Sequence, residues 1–323
     1  MSKKYRRIKY EDRCQIHALL KAGRTQAEIG VALGFSQGAL SRELIRNSGR
    51  RGYRFKQAHG KAQSRQDKVR GRPRKLTARL RRDIARKLRD ERWSPEQISF
   101  WLRDERGVGI SHELIYQMVW TDKRAGGDLW RCLRRRGKKY NRRGAQLAGR
   151  GVIPGRIDIS ERPAVVGRKS RLGDWEGDTI VGTQHKGALL THVERKSLFT
   201  TISKLKRPTA KATHAATVRR LNPLRRDVHT ITYDNGKEFA AHKKTARTLK
   251  ADVFFATPYH AWERGANENT NGLIRDFFPK GTDFTTIHQA TVAKVERLLN
   301  RRPRKSLGFK TPNEVFYALS RRR

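Results

Sequence analysis

The sequence predicts two small all-α units followed by an α/β domain built on a mixed sheet. Up to about residue 130, apolar residues recur at helical spacing between recognisable helix caps. From about residue 171, short β-rich runs alternate with helical segments. A chain of 323 residues is too long for one small core. Two or three domains are therefore expected.

The charge of the chain indicates a polyanionic partner. There are 75 Lys and Arg residues against 30 Asp and Glu residues, a formal net charge of +45. Such an excess repels itself in a compact protein unless a polyanion neutralises it. Nucleic acid is the obvious partner, because phosphate contacts release condensed counterions. Charge alone leaves a ribosomal or architectural protein open, although 36% hydrophobic residues suffice for packed cores.

Cysteine usage and the N-terminus argue against several other classes of protein. Cys14 and Cys132 lie far apart without metal-ligand spacing, which argues against a disulfide framework and a zinc module. The N-terminus is charged and has no apolar signal core. No apolar run approaches the ~20 residues that cross a bilayer. A cytoplasmic protein without a membrane partner is expected.

Residues 1–60 are predicted to form a helix-turn-helix domain. Thr25 and Glu28 form a capping box, and Ser36 caps the next helix. In that helix Ala39, Leu40, Leu44 and Ile45 are expected to point inward. Ser41, Arg42 and Arg46 are expected outward, as candidate contacts to double-stranded DNA. Any small three-helix core would share much of this pattern.

The next stretch is predicted to contain a second helical unit between two linkers. Residues 61–75 are polar, basic and interrupted by Gly and Pro, which favours a linker. Residues 76–130 are predicted to be helical, with Ser94, Pro95 and Gln97 opening one helix. This unit is either a second helix-turn-helix or a helical spacer. Residues 131–170 are predicted to be a basic linker that contacts phosphate or acts as a tether.

Residues 171–282 are predicted to form the α/β domain, and residues 283–323 a helical, basic C-terminal tail. Short apolar or alternating runs predict its strands. These runs are 175–181, 188–193, 198–205, 228–233 and 253–256. Helical character at 209–221, 268–278 and 287–299 completes a plan with a mixed sheet flanked by helices.

Three acidic residues are candidates for catalysis in this basic chain. Asp178 lies in the first β-rich run, Asp234 follows the strand that ends at Tyr233, and Glu268 lies in a polar helical stretch. Between them stand 55 and then 33 residues. Phosphoryl transfer without a covalent intermediate uses two divalent ions that clamp the attacking and leaving oxygens. Carboxylates are the ligands that such hard cations prefer.

Sequence physics leaves alternatives to these acids open. Asp174 and Glu176 alternate with Asp178, so a regular strand points all three the same way. Asp174 is interpreted as an edge charge. Glu263 competes with Glu268 but stands five residues closer to Asp234, and the tripeptide at Asp234 is by itself typical of a turn.

Aromatic and histidine side chains near the acids are expected to be structural. Trp175 and Trp262 flank the acids and are predicted to be core anchors. The histidines are dispersed and lack paired cysteines, so they are not predicted to bind metal. Those considered are His185, His192, His214, His229, His242 and His260.

Longer motifs around the acids resemble a known family. They are Trp175-Glu-Gly-Asp-Thr-Ile180, Tyr233-Asp-Asn-Gly-Lys-Glu-Phe239, Tyr259-His-Ala-Trp-Glu-Arg-Gly-Ala-Asn-Glu-Asn-Thr-Asn-Gly-Leu-Ile-Arg275, Ser41-Arg-Glu-Leu-Ile-Arg-Asn47 and the segment from Leu299 to Phe316. Together they resemble the DDE transposases of the insertion sequence thirty family, from about residue 5 to about residue 317. The 33-residue gap between the last two acids matches the spacing in that family.

The resemblance implies a fold, a metal and a set of site residues. The catalytic domain is expected to be RNase H-like, with Asp178, Asp234 and Glu268 binding Mg²⁺, for which Mn²⁺ is expected to substitute. Arg275 falls where the family places a basic residue that contacts terminal DNA. Arg275 lies seven positions after Glu268, a spacing of two turns along one helix face.

The resemblance also implies an activity. A bacterial, nucleoid-associated transposase is expected to bind the terminal inverted repeats of its own element and to join them to target DNA. Two ends must be held together, so a homodimer or higher oligomer on DNA is expected. The rivals are a DNA-binding regulator with an inactive RNase H-like domain and a structure-specific nuclease.

Overall fold

The structure, a computed structural model, describes residues 6–70, 76–134, 153–257 and 261–321. Side chains at 69, 70, 261 and 262 are outside this description. The chain divides into two compact units, Met1–Lys75 and Leu76–Arg323. Among the described residues, no helix is long and apolar enough to cross a membrane.

Four helices make up the described part of the first unit. They are α1 (Tyr10–Lys21), α2 (Gln26–Leu33), α3 (Gln37–Asn47) and α4 (Phe55–Arg70). The predicted capping box is present, since the Glu28 amide donates to Thr25 Oγ1 at 3.3 Å and the Thr25 amide to Glu28 Oε2 at 2.9 Å. Gly34 then ends α2 with a left-handed φ of 69°.

The first unit differs from the sequence-based expectation in two ways. Helix α4 continues to Arg70, so the linker predicted for residues 61–75 is helical over most of its length. Buried Ala58 and Ala62 stabilise this polar helix by packing, which outweighs its weak local signals. Ile45, predicted to point inward, is 79% exposed because three helices this short bury only a narrow stripe.

The second unit begins with three helices around their own apolar core. They are α5 (Ala78–Arg89), α6 (Pro95–Arg106) and α7 (His112–Arg124). Helix α6 begins as predicted, with Ser94 accepting from the Gln97 amide, Gln97 accepting from the Ser94 amide, and Pro95 in the first turn. Fully buried Ile98 and Leu102 place the apolar stripe of α6 in this core.

In the described part of the chain, six strands form one mixed sheet. The strands are β1 (Ile157–Asp158), β2 (Asp174–Val181), β3 (Ala188–Glu194), β4 (Thr200–Leu205), β5 (Thr230–Tyr233) and β6 (Asp252–Phe255). Their order is β1-β6-β5-β2-β3-β4. The antiparallel meander β2-β3-β4 continues through β5, β6 and β1 as parallel neighbours. This is the mixed sheet that the sequence predicts.

Helices cover both faces of the sheet. They are α9 (Ala210–Leu221), α10 (His242–Leu249), α11 (Gly265–Phe277), α12 (Gln289–Asn300) and α13 (Pro312–Ser320), and the short helix α8 (Ala164–Arg168) precedes β2. One apolar core contains Trp175, which is fully buried as predicted, together with Phe316 of α13. The core on the other face joins β2 to β4 with α11 and α12. The Trp262 side chain is outside the described residues.

The α/β domain is longer at both ends than the predicted range of 171–282. Strand β1 and helix α8 lie in the stretch predicted as linker, where two strand residues are too few to give a periodic signal. The C-terminal segment is no separate tail, because the Asn300 side chain exchanges two hydrogen bonds with the backbone of Thr200 on β4. Its many arginines interrupt the apolar positions, so the sequence pattern did not indicate that this segment packs on the sheet.

Candidate functional site

Strand pairing brings Asp178 and Asp234 together. In the parallel pair of β2 and β5, Glu176 stands opposite Thr232. Two residues further along each strand, the same register sets Asp178 opposite Asp234. Neighbouring strands lie ~4.8 Å apart, so the two carboxylates meet at the carboxyl end of β5. The Asp234 side chain accepts from the Gly236 amide at 3.0 Å, which forms the predicted turn.

Arg264 places a guanidinium between these two aspartates. Its Nη1 lies 3.7 Å from Asp178 Oδ2, and its Nη2 lies 3.9 Å from Asp234 Oδ2. Nη1 also donates to the carbonyl oxygen of Gly177 at 3.2 Å. The Arg264 side chain is only 16% exposed. One positive charge therefore lies close to both carboxylates, and Arg264 was not among the residues predicted from the sequence.

Helix α11 carries the third acid to the same edge. Asn267 is fully buried, and its amide donates to Glu176 Oε2 at 2.9 Å, which anchors the helix on β2. One turn later, Asn271 Nδ2 donates to Asp178 Oδ2 at 2.9 Å. Glu268 lies three residues before Asn271 in α11, so these two residues share one side of the helix. Its side chain is exposed.

Of the three acids that alternate along β2, Asp174 and Glu176 have close ionic partners. Arg171 binds Asp174 at 2.9 Å, and Arg195 binds Glu176 at 2.9 Å. Both carboxylates are about 1% exposed, so the interpretation of Asp174 as an edge charge is wrong. Strand β2 lies inside the sheet, where a buried acid requires a cation. The ionic partner of Asp178 is Arg264, which lies farther away, at 3.7 Å.

Burial perturbs the ionisation of Asp178. Desolvation raises its pKa to about 6, against an opposing effect of Arg264. The neighbouring carboxylates of Asp234 and Glu238 raise the pKa further. Glu238 was not predicted, although its Oε1 accepts from Thr179 Oγ1 at 2.6 Å directly beside Asp178. A divalent cation would offset this concentration of negative charge.

The arrangement of oxygens suits hard divalent cations. Among the described residues, no three His, Cys, Asp or Glu side chains already surround one point closely enough to hold an ion. Asp178 and Asp234 nevertheless lie close to one guanidinium, and Glu268 lies on the helix that contacts Asp178 through Asn271. Carboxylate oxygens are the donor type that Mg²⁺ prefers. The competing Glu263 instead accepts from the amide of Thr257 at 2.8 Å and holds the loop after β6.

Arg275 lies two turns further along α11 and contacts the backbone. Its guanidinium donates to the carbonyl oxygens of Val181 at 3.2 Å and Pro279 at 3.3 Å. Partial burial lowers the pKa of Arg275 below its usual range. The DNA contact assigned to Arg275 from the family motif remains a prediction. In such a contact the guanidinium would donate to a DNA phosphate in place of these two carbonyl oxygens.

A basic groove lines the predicted recognition helix of the first unit. Arg42 and Arg46 on α3 are exposed, whereas Ser41 is half-buried. With arginines from the N-terminal segment and α4, they line a groove of about 520 Å³. Its basic residues are Arg6, Arg7, Arg13, Arg42, Arg46 and Arg65. Buried Glu43 holds Arg13 at 2.7 Å and Asp12 pairs with Arg6, so the remaining arginines carry the positive field of the groove.

Replacing Arg42 or Arg46 by Ala is expected to weaken binding to the correct DNA ends by ~1–3 kcal/mol if the side chain contacts a base bidentately. The measurement is a fluorescence-anisotropy titration on end DNA and on unrelated DNA at one salt concentration. Equal weakening on both DNAs would contradict base reading and assign a phosphate contact. Exposed Arg219 on α9, replaced by Ala, is the matched control for the lost charge.

Family models match both helical regions. Residues 4–47 match a helix-turn-helix domain, and residues 50–119 match a homeodomain-like domain. Among solved structures, the chain is similar to the catalytic core domain of BIV integrase, at 21% identity and a TM-score of 0.36. This match covers 45% of the chain and 93% of that core.

Full-length relatives are transposases of insertion sequences. The transposase of IS4351 from Bacteroides fragilis is 44% identical over 96% of this chain and 95% of its own length. The InsI transposase of IS30A from Escherichia coli strain K12 is 34% identical over 94% of this chain and 82% of its own. The IS1086 transposase of Cupriavidus metallidurans is 33% identical over 97% of this chain and 94% of its own. The chain therefore belongs to the IS30 family of insertion-sequence transposases.

Proposed function

We propose that this transposase cuts and rejoins DNA with two Mg²⁺ ions held by Asp178, Asp234 and Glu268. The observation that carries the proposal is that Asp178 on β2 and Asp234, directly after β5, lie 3.7 and 3.9 Å from the guanidinium of Arg264. Helix α11 begins at the same place and carries Glu268. Mn²⁺ is proposed to substitute, because it accepts the same oxygen ligands.

The residues around the acids support this chemistry. When bound, the ions would activate water, and later a freed 3′-hydroxyl, and stabilise the leaving oxygen. Asn271 orients Asp178 through its Nδ2, while Thr191 Oγ1 contacts Asn271 Oδ1 at 3.1 Å and fixes that amide. Such supporting contacts typically change metal affinity or activity by ~10–100-fold. The carboxylates are thus held in place by the sheet and by α11.

DNA recognition is assigned to the helical regions. We propose that the helix-turn-helix of the first unit, residues 1–60, binds the terminal inverted repeats through α3 and its exposed Arg42 and Arg46. The helical region at 76–130 would contact a second part of each end. Because two ends and the target must be held together, the active form is proposed to be a homodimer or a higher oligomer on DNA.

The test is a strand-cleavage and joining assay on DNA that carries the ends of the element. Wild type with Mg²⁺ is expected to yield cleaved and joined products, and Asp234→Asn to reduce both by at least ~10³-fold, because a metal ligand supplies several kcal/mol of transition-state stabilisation. End binding by the variant is expected to remain intact.

Asp252→Asn is the matched control, since Asp252 is exposed at the start of β6, at the opposite end of the strands. It is expected to cleave like wild type. Tight end binding without cleavage in either metal would contradict the proposal and favour a regulator. Cleavage without joining would instead favour a nuclease.

A further inference from the structure

Arg264 is positioned by more than attraction to the two aspartates. Its Nη1 hydrogen bond to the Gly177 carbonyl, at 3.2 Å, is the shortest of its three contacts with this site. The ionic contacts to Asp178 and Asp234, at 3.7 and 3.9 Å, exceed hydrogen-bond lengths. The guanidinium thus stands between two carboxylates without closing tightly on either one.

This position conflicts with the proposed metal ions. A bound Mg²⁺ lies ~2.1 Å from its carboxylate oxygens. The oxygens that face Arg264 are Asp178 Oδ2 and Asp234 Oδ2, from two of the three proposed ligands. A guanidinium cannot ligate a metal, and its charge repels a divalent ion at this separation. Metal and guanidinium therefore compete for the same two carboxylates.

Arg264 lies where the chain enters helix α11. It stands at the junction between a short 3-10 helix, Ala261–Arg264, and α11, with φ and ψ of −122° and 40°. Gly265 follows and is exposed, and among the described residues no atom lies within 4 Å of where its Cβ would be. Asn267 anchors α11 separately, so a change in the Arg264 side chain does not require this helix to move.

We propose that Arg264 is a placeholder cation, which neutralises Asp178 and Asp234 in the metal-free protein, is displaced by divalent ions and then binds a DNA phosphate. This inference rests on the proposed function, because it takes the two aspartates as metal ligands. A displaced guanidinium suits phosphate, whose oxygens it binds bidentately. Through this movement of the Arg264 side chain, metal binding would be coupled to DNA binding.

The proposal predicts opposite effects of one substitution on metal affinity and on cleavage. Arg264→Gln is expected to bind Mn²⁺ at least about tenfold more tightly in the absence of DNA, because a competing positive charge is gone. At saturating Mn²⁺ it is expected to cleave end DNA at least about tenfold more slowly, because a phosphate contact is lost. Free Mn²⁺ is measured by electron paramagnetic resonance on the full chain.

Two further variants control for charge and for fold. Arg264→Lys keeps the cation and is expected to bind Mn²⁺ within about threefold of wild type. Arg219→Gln removes an exposed arginine from α9 and is expected to change neither measurement. Unchanged or weaker Mn²⁺ binding by a folded Arg264→Gln variant would overturn the placeholder role, as would loss of affinity and cleavage together.

A second measurement keeps the proposal testable if Arg264→Gln fails to fold. The Nε–Hε NMR signal of Arg264, assigned by its absence from Arg264→Lys, is expected to shift when Mg²⁺ saturates the wild-type chain. An unmoved signal would overturn the proposal. If Asp234→Asn binds Mn²⁺ as tightly as wild type, the proposed function fails. If Asp234→Asn weakens Mn²⁺ binding but Arg264→Gln leaves it unchanged, only this inference fails.

Discussion

Replacing Asp178 by Asn is expected to abolish strand cleavage while stabilising the metal-free protein. Cleavage should fall at least ~10³-fold because a proposed metal ligand is lost. Burial raises the pKa of Asp178 from 3.8 to about 6 in the folded protein, so its ionised form destabilises the fold. At pH 7 the variant should gain roughly 2–3 kcal/mol in free energy of unfolding. The ionised carboxylate that cleavage requires is thus expected to lower the stability of the metal-free fold.

The pH dependence of this gain separates the effect from general repacking. Because the folded-state pKa lies above the unfolded one, the cost of ionisation is absent below about pH 4, grows as the pH rises to about 6 and is complete above it. Urea unfolding in EDTA across this range measures the difference between variant and wild type. Asp283→Asn, at a half-buried acid whose pKa is lowered by hydrogen bonds from Thr285, should give no such gain. A pH-independent difference would contradict the prediction.

Replacing Phe316 by Ala is expected to destabilise the α/β domain by about 3–5 kcal/mol. Phe316 is fully buried on α13, where its ring stacks on Phe199 at a centroid distance of 4.4 Å and meets Trp175 edge-on at 6.0 Å. Truncation would leave a cavity beneath the sheet, because a close-packed core collapses only partly. The measurement is the urea unfolding transition of the α/β domain, followed by tryptophan fluorescence.

The neighbouring Tyr317 supplies the control. It is 47% exposed on the same helix, so Tyr317→Ala should cost much less than Phe316→Ala. Ending the chain at residue 282 should prevent the α/β domain from folding, since α12 and α13 both contribute buried side chains. A truncated chain that folds and keeps the wild-type transition would contradict the assignment of these helices to the domain.

Local sequence signals sufficed for most elements of the fold. Capping at Thr25 and Ser94 located two helix starts, a short β-rich run located β2, and alternation located β5, because each signal lies within a few residues. Tertiary packing decided the rest. Strand β1 has only two residues and is stabilised by pairing with β6, a contact that separates residues 157 and 254 in sequence. Helix α4 likewise depends on burial against α1 and not on its own composition.

The sequence predicted some residues of the candidate site and missed others. Long motifs identified Asp178, Asp234 and Glu268, yet alternation alone left Asp174 and Glu176 as rivals until their arginine partners were located. Arg264 had no distinctive signal, since it is one of many basic residues and meets Asp178 only through the fold. The family string that contains Arg264, adjacent to Glu263 and four residues before Glu268, was the clue that could have found it.

The most direct test of the three-acid site is anomalous scattering from Mn²⁺ in crystals of the protein bound to end DNA. Two peaks are expected about 3.5–4 Å apart, each within about 2.3 Å of carboxylate oxygens from Asp178, Asp234 and Glu268. Arg264 should then lie against a phosphate. Peaks beside Glu176 or Glu263, or none in crystals of a complex that joins strands, would contradict the proposed site.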